Sequence, residues 1–197
     1  MRRSSTARRN RRAEHLAPGS RPDDRGAART PRSHDAKRLF TIGVYEWDLE
    51  SFLAALRDAK VAVLLDLRQR RGVRGPRYAW ANSVRLQRAL SEAGIGYRHH
   101  PELAPTTELR QLQYAEDARQ RVGKRSRVQL APAYRQGYTR QILDRADLDL
   151  FVAQLPERGA ASLFCVEADP SACHRSIVAE RLHDRYGIEV THIRPPR

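Results

Sequence analysis

Between Leu39 and Ile193 short strand-like runs alternate with longer segments whose apolar residues recur every three or four positions. The runs Leu39–Val44, Val61–Leu65, Tyr97–His100, Ala160–Val166 and Glu189–Ile193 read as strands. Val61–Leu65 is unbroken aliphatic sequence, as expected of a strand covered on both faces. Helical spacing is found over Leu49–Ala59, with Asp48 as cap and Phe52, Leu53 and Leu56 on the inner face. It recurs from Asn82 or Ser83 to Ala93, from about Leu109 to Val122, over Ala133–Leu143, after Asp147, and from Ala172 to Tyr186. Gly94 and Gly187 stand where helices end. Strand and helix in alternation predict an α/β domain: a three-layer, Rossmann-like fold with a mainly parallel sheet and helices on both faces. Ligands of such sheets bind outside the carboxyl ends of the strands.

The first 38 residues break this pattern. They carry 12 Arg and Lys against 4 Asp and Glu, are rich in Ser, Pro and Gly, and have few apolar positions. Such a segment cannot repay its ordering entropy by burial, so 1–38 is expected to be a disordered basic tail and 39–197 a single domain. The net charge of +14 suggests anionic partners, nucleic acid among them. Arg outnumbers Lys about tenfold in an Ala-rich chain, which is equally consistent with genomic base composition. Two cysteines make no disulfide scaffold, and no apolar run of membrane-spanning length exists, so a cytoplasmic protein without a membrane partner is expected.

Chemistry-bearing residues concentrate around the fourth strand. Cys165-Val166-Glu167 closes it, Pro170-Ser171 breaks the chain, and Cys173-His174-Arg175 opens the next helix. Free N–H groups at such a helix start favour anions. This block resembles the DUF488 family, α/β proteins named for their unknown function. Thr41-Ile42-Gly43, Leu64-Leu65-Asp66-Leu67-Arg68, and Gly94-Ile95-Gly96-Tyr97 followed by Pro101-Glu102-Leu103 resemble further family segments. Val44 replaces the family's usual His, and Ala104-Pro105 its usual Gly-Gly. The resemblance spans roughly Phe40 to Arg194 and implies the fold; it implies no reaction.

After the second strand, Arg68, Arg70, Arg71, Arg74 and Arg77 lie in a glycine-containing loop ending in Tyr78 and Trp80. Guanidinium groups bind phosphate in bidentate fashion, and the aromatics could stack on a base. No Rossmann or P-loop glycine signature and no Gly-x-Ser-x-Gly elbow is present, and no cofactor is indicated. Three readings of the Cys165–Arg175 block stand side by side. Cys173 is a reactive thiol activated by the helix start, His174 and Arg175. Alternatively Cys165, Cys173, His174 and Glu167 hold a metal, although the spacing matches no common zinc pattern and adjacent Cys173 and His174 should point differently, so no metal is expected. Or the cysteines are packing residues and Arg175 pairs with Glu167 or Asp169. The expected pocket unites Asp66, Arg68, Glu167, Cys173, His174 and Arg175. Asp66, Glu167, Cys173 and His174 are the catalytic candidates, and Arg68, Arg70, Arg71, Arg175, Tyr97 and Glu102 the ligand contacts. The ligand expected there bears phosphate, as a nucleotide or nucleic acid does. A non-catalytic binding module, or a thiol-dependent enzyme or sensor centred on Cys173, is the alternative.

Overall fold

The computed structural model describes residues 37–196; the segment expected to form the tail lies outside them save for Lys37 and Arg38. Five strands, β1 (Arg38–Ile42), β2 (Val61–Asp66), β3 (Gly96–His99), β4 (Ala160–Phe164) and β5 (Glu189–His192), form one sheet in the order β3-β2-β4-β1-β5. Every pairing is parallel. Thus β4, formed late in the chain, lies at the centre, and all five of its residues are buried.

Two apolar layers enclose the sheet. On one face α1 (Leu49–Asp58) and α2 (Ser83–Glu92) bring Phe52, Leu56, Leu86 and Leu90 against Ile42, Leu64 and Phe164. On the other, α3 (Thr107–Arg119), α4 (Pro132–Tyr138), α5 (Leu148–Ala153) and α6 (His174–Tyr186) cover Leu39, Leu65, Ala161 and Leu163. Alternation along the strands sends side chains to the two layers in turn. The helix starts expected from Asp48 and Asp147 are present, each carboxylate accepting a backbone N–H of the first turn. Gly187 ends α6 at φ +66°, with its N–H on the His183 carbonyl.

Three local expectations change. The helix predicted from Ala172 begins at His174, because Pro170–Ala172 makes a separate 3-10 turn capped by Asp169. Asn82 precedes α2 but does not cap it with its side chain; its Oδ1 accepts the N–H of Val73 and ties down the arginine-rich loop. That loop also contains a 3-10 turn over Pro76–Ala81, which turns Tyr78 and Trp80 inward. Tyr78 packs on Tyr45 and is buried, so it offers no face for a nucleobase, while half-buried Trp80 packs on Phe52.

The chain end of β1 passes directly under the loop that follows β4. The N–H groups of Val44 and Tyr45 both reach the Val166 carbonyl at 3.0 Å, and the Cys165 N–H reaches Ile42 at 3.2 Å. A Cβ at Gly43 would lie 1.9 Å from the Glu167 carbonyl oxygen, so only glycine permits this approach. Gly43→Ala is therefore expected to cost about 1–3 kcal/mol in urea unfolding. Gly72→Ala, whose added Cβ would meet only Asn82 Oδ1 at 3.9 Å, should be nearly neutral. Equal effects of the two substitutions would contradict the close approach.

Candidate functional site

At the carboxyl ends of β2 and β4 a cavity of about 520 Å³ opens between the arginine-rich loop, α3 and the segment Lys124–Arg127. Its floor holds Cys165, Glu167, Cys173 and His174, all buried. Cys165 is the first residue beyond β4, whereas Cys173 is the extended N-cap of α6 and His174 its first helical residue. The bend from extended to helical backbone turns two adjacent side chains toward each other. His174 Nδ1 lies 3.7 Å from Cys165 Sγ and 3.9 Å from Cys173 Sγ. The opposite ring nitrogen, Nε2, lies 3.2 Å from the Leu67 carbonyl. A carbonyl can only accept, so Nε2 carries hydrogen and Nδ1 faces the sulfurs. The expectation that Cys173 and His174 diverge fails for this reason.

The two sulfurs differ electrostatically. Burial and the neighbouring Cys173 push the Cys165 thiol well above the usual range. Burial also opposes ionisation of Cys173, but the Cys165 thiol, the Arg175 guanidinium and His174 outweigh it and hold Cys173 well below that range. Burial lowers the affinity of His174 for its second proton; Cys173 more than offsets this and raises it. Burial and Cys173 raise Glu167, against the pull of Lys124 and Arg127.

The walls are cationic. Arg68, Arg70, Arg74, Arg110, Lys124, Arg125 and Arg127 line the cavity, and Glu167 is the one acidic lining residue among the described residues. Arg127 is the surprise. The segment Gly123–Arg127 has the composition of an exposed turn, yet the Arg127 guanidinium is buried, 2.8 Å from Asp117 Oδ2, 3.2 Å from Glu167 Oε1 and 3.1 Å from the Ala172 carbonyl. Gln113 donates to the other Asp117 oxygen and accepts the N–H of Ala131. Lys124 Nζ comes within 3.7 Å of the same Glu167 oxygen.

Residues 48–182 match the family model of a domain of unknown function, DUF488. The chain belongs to the DUF488 family. Neither the curated proteins nor the solved structures yield a match.

In this DUF488 protein the residues expected to share one pocket divide into two groups. Arg68, Arg70, Glu167, Cys173 and His174 line the cavity. Asp66, Arg71, Tyr97, Glu102 and Arg175 lie off its wall. Asp66 is wholly buried beneath Arg68, which it holds through two contacts of 2.8 and 2.7 Å, while Tyr97 donates to the second carboxylate oxygen. Burial and that carboxylate push the Tyr97 phenol up to about 12. Arg68 also donates to the Ala81 carbonyl and lies over the Phe164 ring, so its charge is spoken for. Arg175 binds neither Glu167's carboxylate nor Asp169; it donates to the backbone carbonyls of Glu167 and Ala168 at 2.6 and 2.9 Å. Glu102 points to His100. His99 contacts the Arg68 carbonyl, and neither histidine lines the cavity. Val44 is fully buried in the apolar layer that holds Phe52 and Leu56 of α1.

Sequence reading missed Arg127, Lys124, Arg110 and Tyr114. One signal was present: Leu109, Gln113 and Asp117 fall on one buried stripe of α3, and two polar residues there require a polar partner inside. Arg127→Met would leave Asp117 and Glu167 buried without their cation and is expected to cost about 3–5 kcal/mol. In the pair Arg127→Met and Asp117→Asn the second change should cost less on the Met background than alone. Additive losses would mean that the two side chains are not coupled.

Proposed function

We propose that this DUF488 protein binds a phosphate-bearing ligand of nucleotide size at the cationic cavity. The observation that carries the reading is the imbalance of charge on the walls. Of the seven basic lining residues, Arg70, Arg74, Arg110 and Arg125 have no carboxylate within ion-pair distance among the described residues. Uncompensated guanidinium groups converging on a concavity favour a multiply charged anion, and phosphate accepts their paired N–H groups. The volume falls in the range of small-molecule pockets, which favours a nucleotide over a stretch of polymer. Arg125 rests over the Tyr45 and Tyr78 rings, which hold it in place, and half-exposed Tyr114 gives the wall an aromatic face.

In this reading Arg70, Arg74, Arg110 and Arg125 are the phosphate contacts, with Arg68 and Arg127 fixing the walls behind them. Asp66, Arg71, Tyr97 and Arg175 act from beneath. Glu167 and His174 are the floor groups able to exchange a proton with a bound ligand. A second reading, thiol-dependent catalysis, is favoured by one observation: Cys173 Sγ contacts His174 Nδ1 beside a guanidinium that has no carboxylate partner among the described residues. It predicts rapid alkylation of Cys173 in the Cys165→Ser protein without denaturant.

Mononucleotides should raise the melting temperature of the protein and the matching nucleosides should not. Arg70→Ala with Arg74→Ala should weaken nucleotide binding about tenfold or more, since each charge-assisted hydrogen bond contributes about 1.5–3 kcal/mol. Affinity should fall with added salt, because Arg70, Arg74 and Arg125 are exposed. Binding of single-stranded oligonucleotides but not mononucleotides would reassign the surface to nucleic acid. Indifference to every phosphate compound at low salt would remove the proposal.

A further inference from the structure

The contacts among Cys165, Cys173 and His174 have a geometry that packing alone does not require. Their Sγ, Sγ and Nδ1 atoms all lie within 4.8 Å of one another. The two sulfur-to-nitrogen separations are 3.7 and 3.9 Å. Tetrahedral bonds of about 2.3 Å to sulfur and about 2.0–2.1 Å to nitrogen put neighbouring ligand atoms about 3.6–3.8 Å apart. The two sulfur-to-nitrogen edges therefore match those of a zinc tetrahedron, and the sulfur-to-sulfur edge is no longer than 4.8 Å.

We propose that Cys165, Cys173 and His174 form a site for a zinc-class divalent cation, with three protein ligands and a fourth position open to the cationic cavity. Three features of the surroundings suit it. His174 directs its other ring nitrogen to the Leu67 carbonyl at 3.2 Å, the kind of outer contact that orients a metal-bound imidazole. All three side chains line the cavity, so an ion can reach them although each is buried. Two thiolates and an imidazole are the donor set of a borderline-soft ion rather than of magnesium or calcium. Glu167 Oε2 lies 3.7 Å from Cys165 Sγ but stands outside the group of three, so it leaves the fourth position open to an exogenous ligand.

Charge also balances. A dication with two thiolates is neutral, so the ion adds no net charge to a floor where Lys124 already pairs with Glu167. Three protein ligands with one position open on a cavity is the arrangement of catalytic zinc sites; structural sites are closed by four protein ligands. The assignment does not depend on the nucleotide reading. It excludes Cys173 as a free nucleophile, because a metal-bound thiolate is no longer available for alkylation.

The test uses the full chain purified under reducing conditions without chelator, with zinc or cobalt(II) as the only probe. Expected are near-stoichiometric zinc by mass spectrometry and, after exchange to cobalt(II), the intense visible bands of a tetrahedral site with thiolate-to-metal charge transfer in the near ultraviolet. Cys165→Ser should weaken the charge-transfer band relative to the visible bands. His174→Gln should lower cobalt(II) affinity by tenfold or more. Both variants are checked for native circular dichroism. Zinc should also slow alkylation of Cys173 in the unsubstituted protein, a readout that needs no variant to fold. The Arg70→Ala, Arg74→Ala protein should keep the cobalt spectrum, which separates this site from the anion-binding wall. Protein that remains zinc-free in zinc-supplemented buffer, a cobalt(II) spectrum without thiolate charge transfer, or alkylation unaffected by zinc would each overturn the assignment and leave Cys173 as a free thiol.

Discussion

Arg175 has no solvent exposure, and its guanidinium donates to the carbonyls of Glu167 and Ala168 and to Thr41 Oγ1. A buried charge of this kind costs several kcal/mol unless its hydrogen bonds are met and an opposite charge lies near. The carbonyls meet the first requirement, and in doing so they clamp the chain between β4 and α6 into one shape. That shape brings the sulfurs of Cys165 and Cys173 to the same His174 nitrogen and lets Gly43 pass under Glu167. No described carboxylate meets the second requirement, since Asp169 pairs instead with Arg194. The Arg175 charge favours the thiolate form of Cys173, so the residue that shapes the loop also tunes the sulfur.

The fold was legible because its signals are local and agree with one another. Aliphatic runs gave the strands, the aspartates at 48 and 147 gave helix starts, and the βαβ order gave parallel pairing. The family match over 48–182 rests on the same framework. What failed was chemistry with two outlets. The break at Pro170-Ser171 can lead straight into a helix or into a short 3-10 turn, and the turn capped by Asp169 forms. Asn82 was free to cap α2 or to brace a loop, and it braces the loop.

The site was legible only where sequence neighbours are also spatial neighbours. Cys165, Glu167, Cys173 and His174 lie within ten positions of chain and share the cavity floor. Arg127 is 40 positions from Glu167 and 10 from Asp117, and nothing local distinguishes it from Arg125, which stays at the surface. Burial of one arginine and exposure of the next follow from tertiary packing: Arg127 faces the polar stripe of α3. Tyr78 and Trp80 show the reverse error. An aromatic next to arginines suggests a binding surface, but the 3-10 turn at Pro76 places Tyr78 in the core and lays half-buried Trp80 against it.

The central position of β4 bears on how the protein is made. β2 and β3 can pair as soon as both have left the ribosome, whereas β1 pairs only with β4 and β5, Leu39 lying opposite Ala161. During synthesis the first strand must wait, unpaired, until most of the chain has emerged. Its apolar edge is open to misassociation throughout that interval. Because Cys165 follows β4 directly, the sheet closes and the cavity floor is assembled in the same late step, so a truncated or stalled chain has neither.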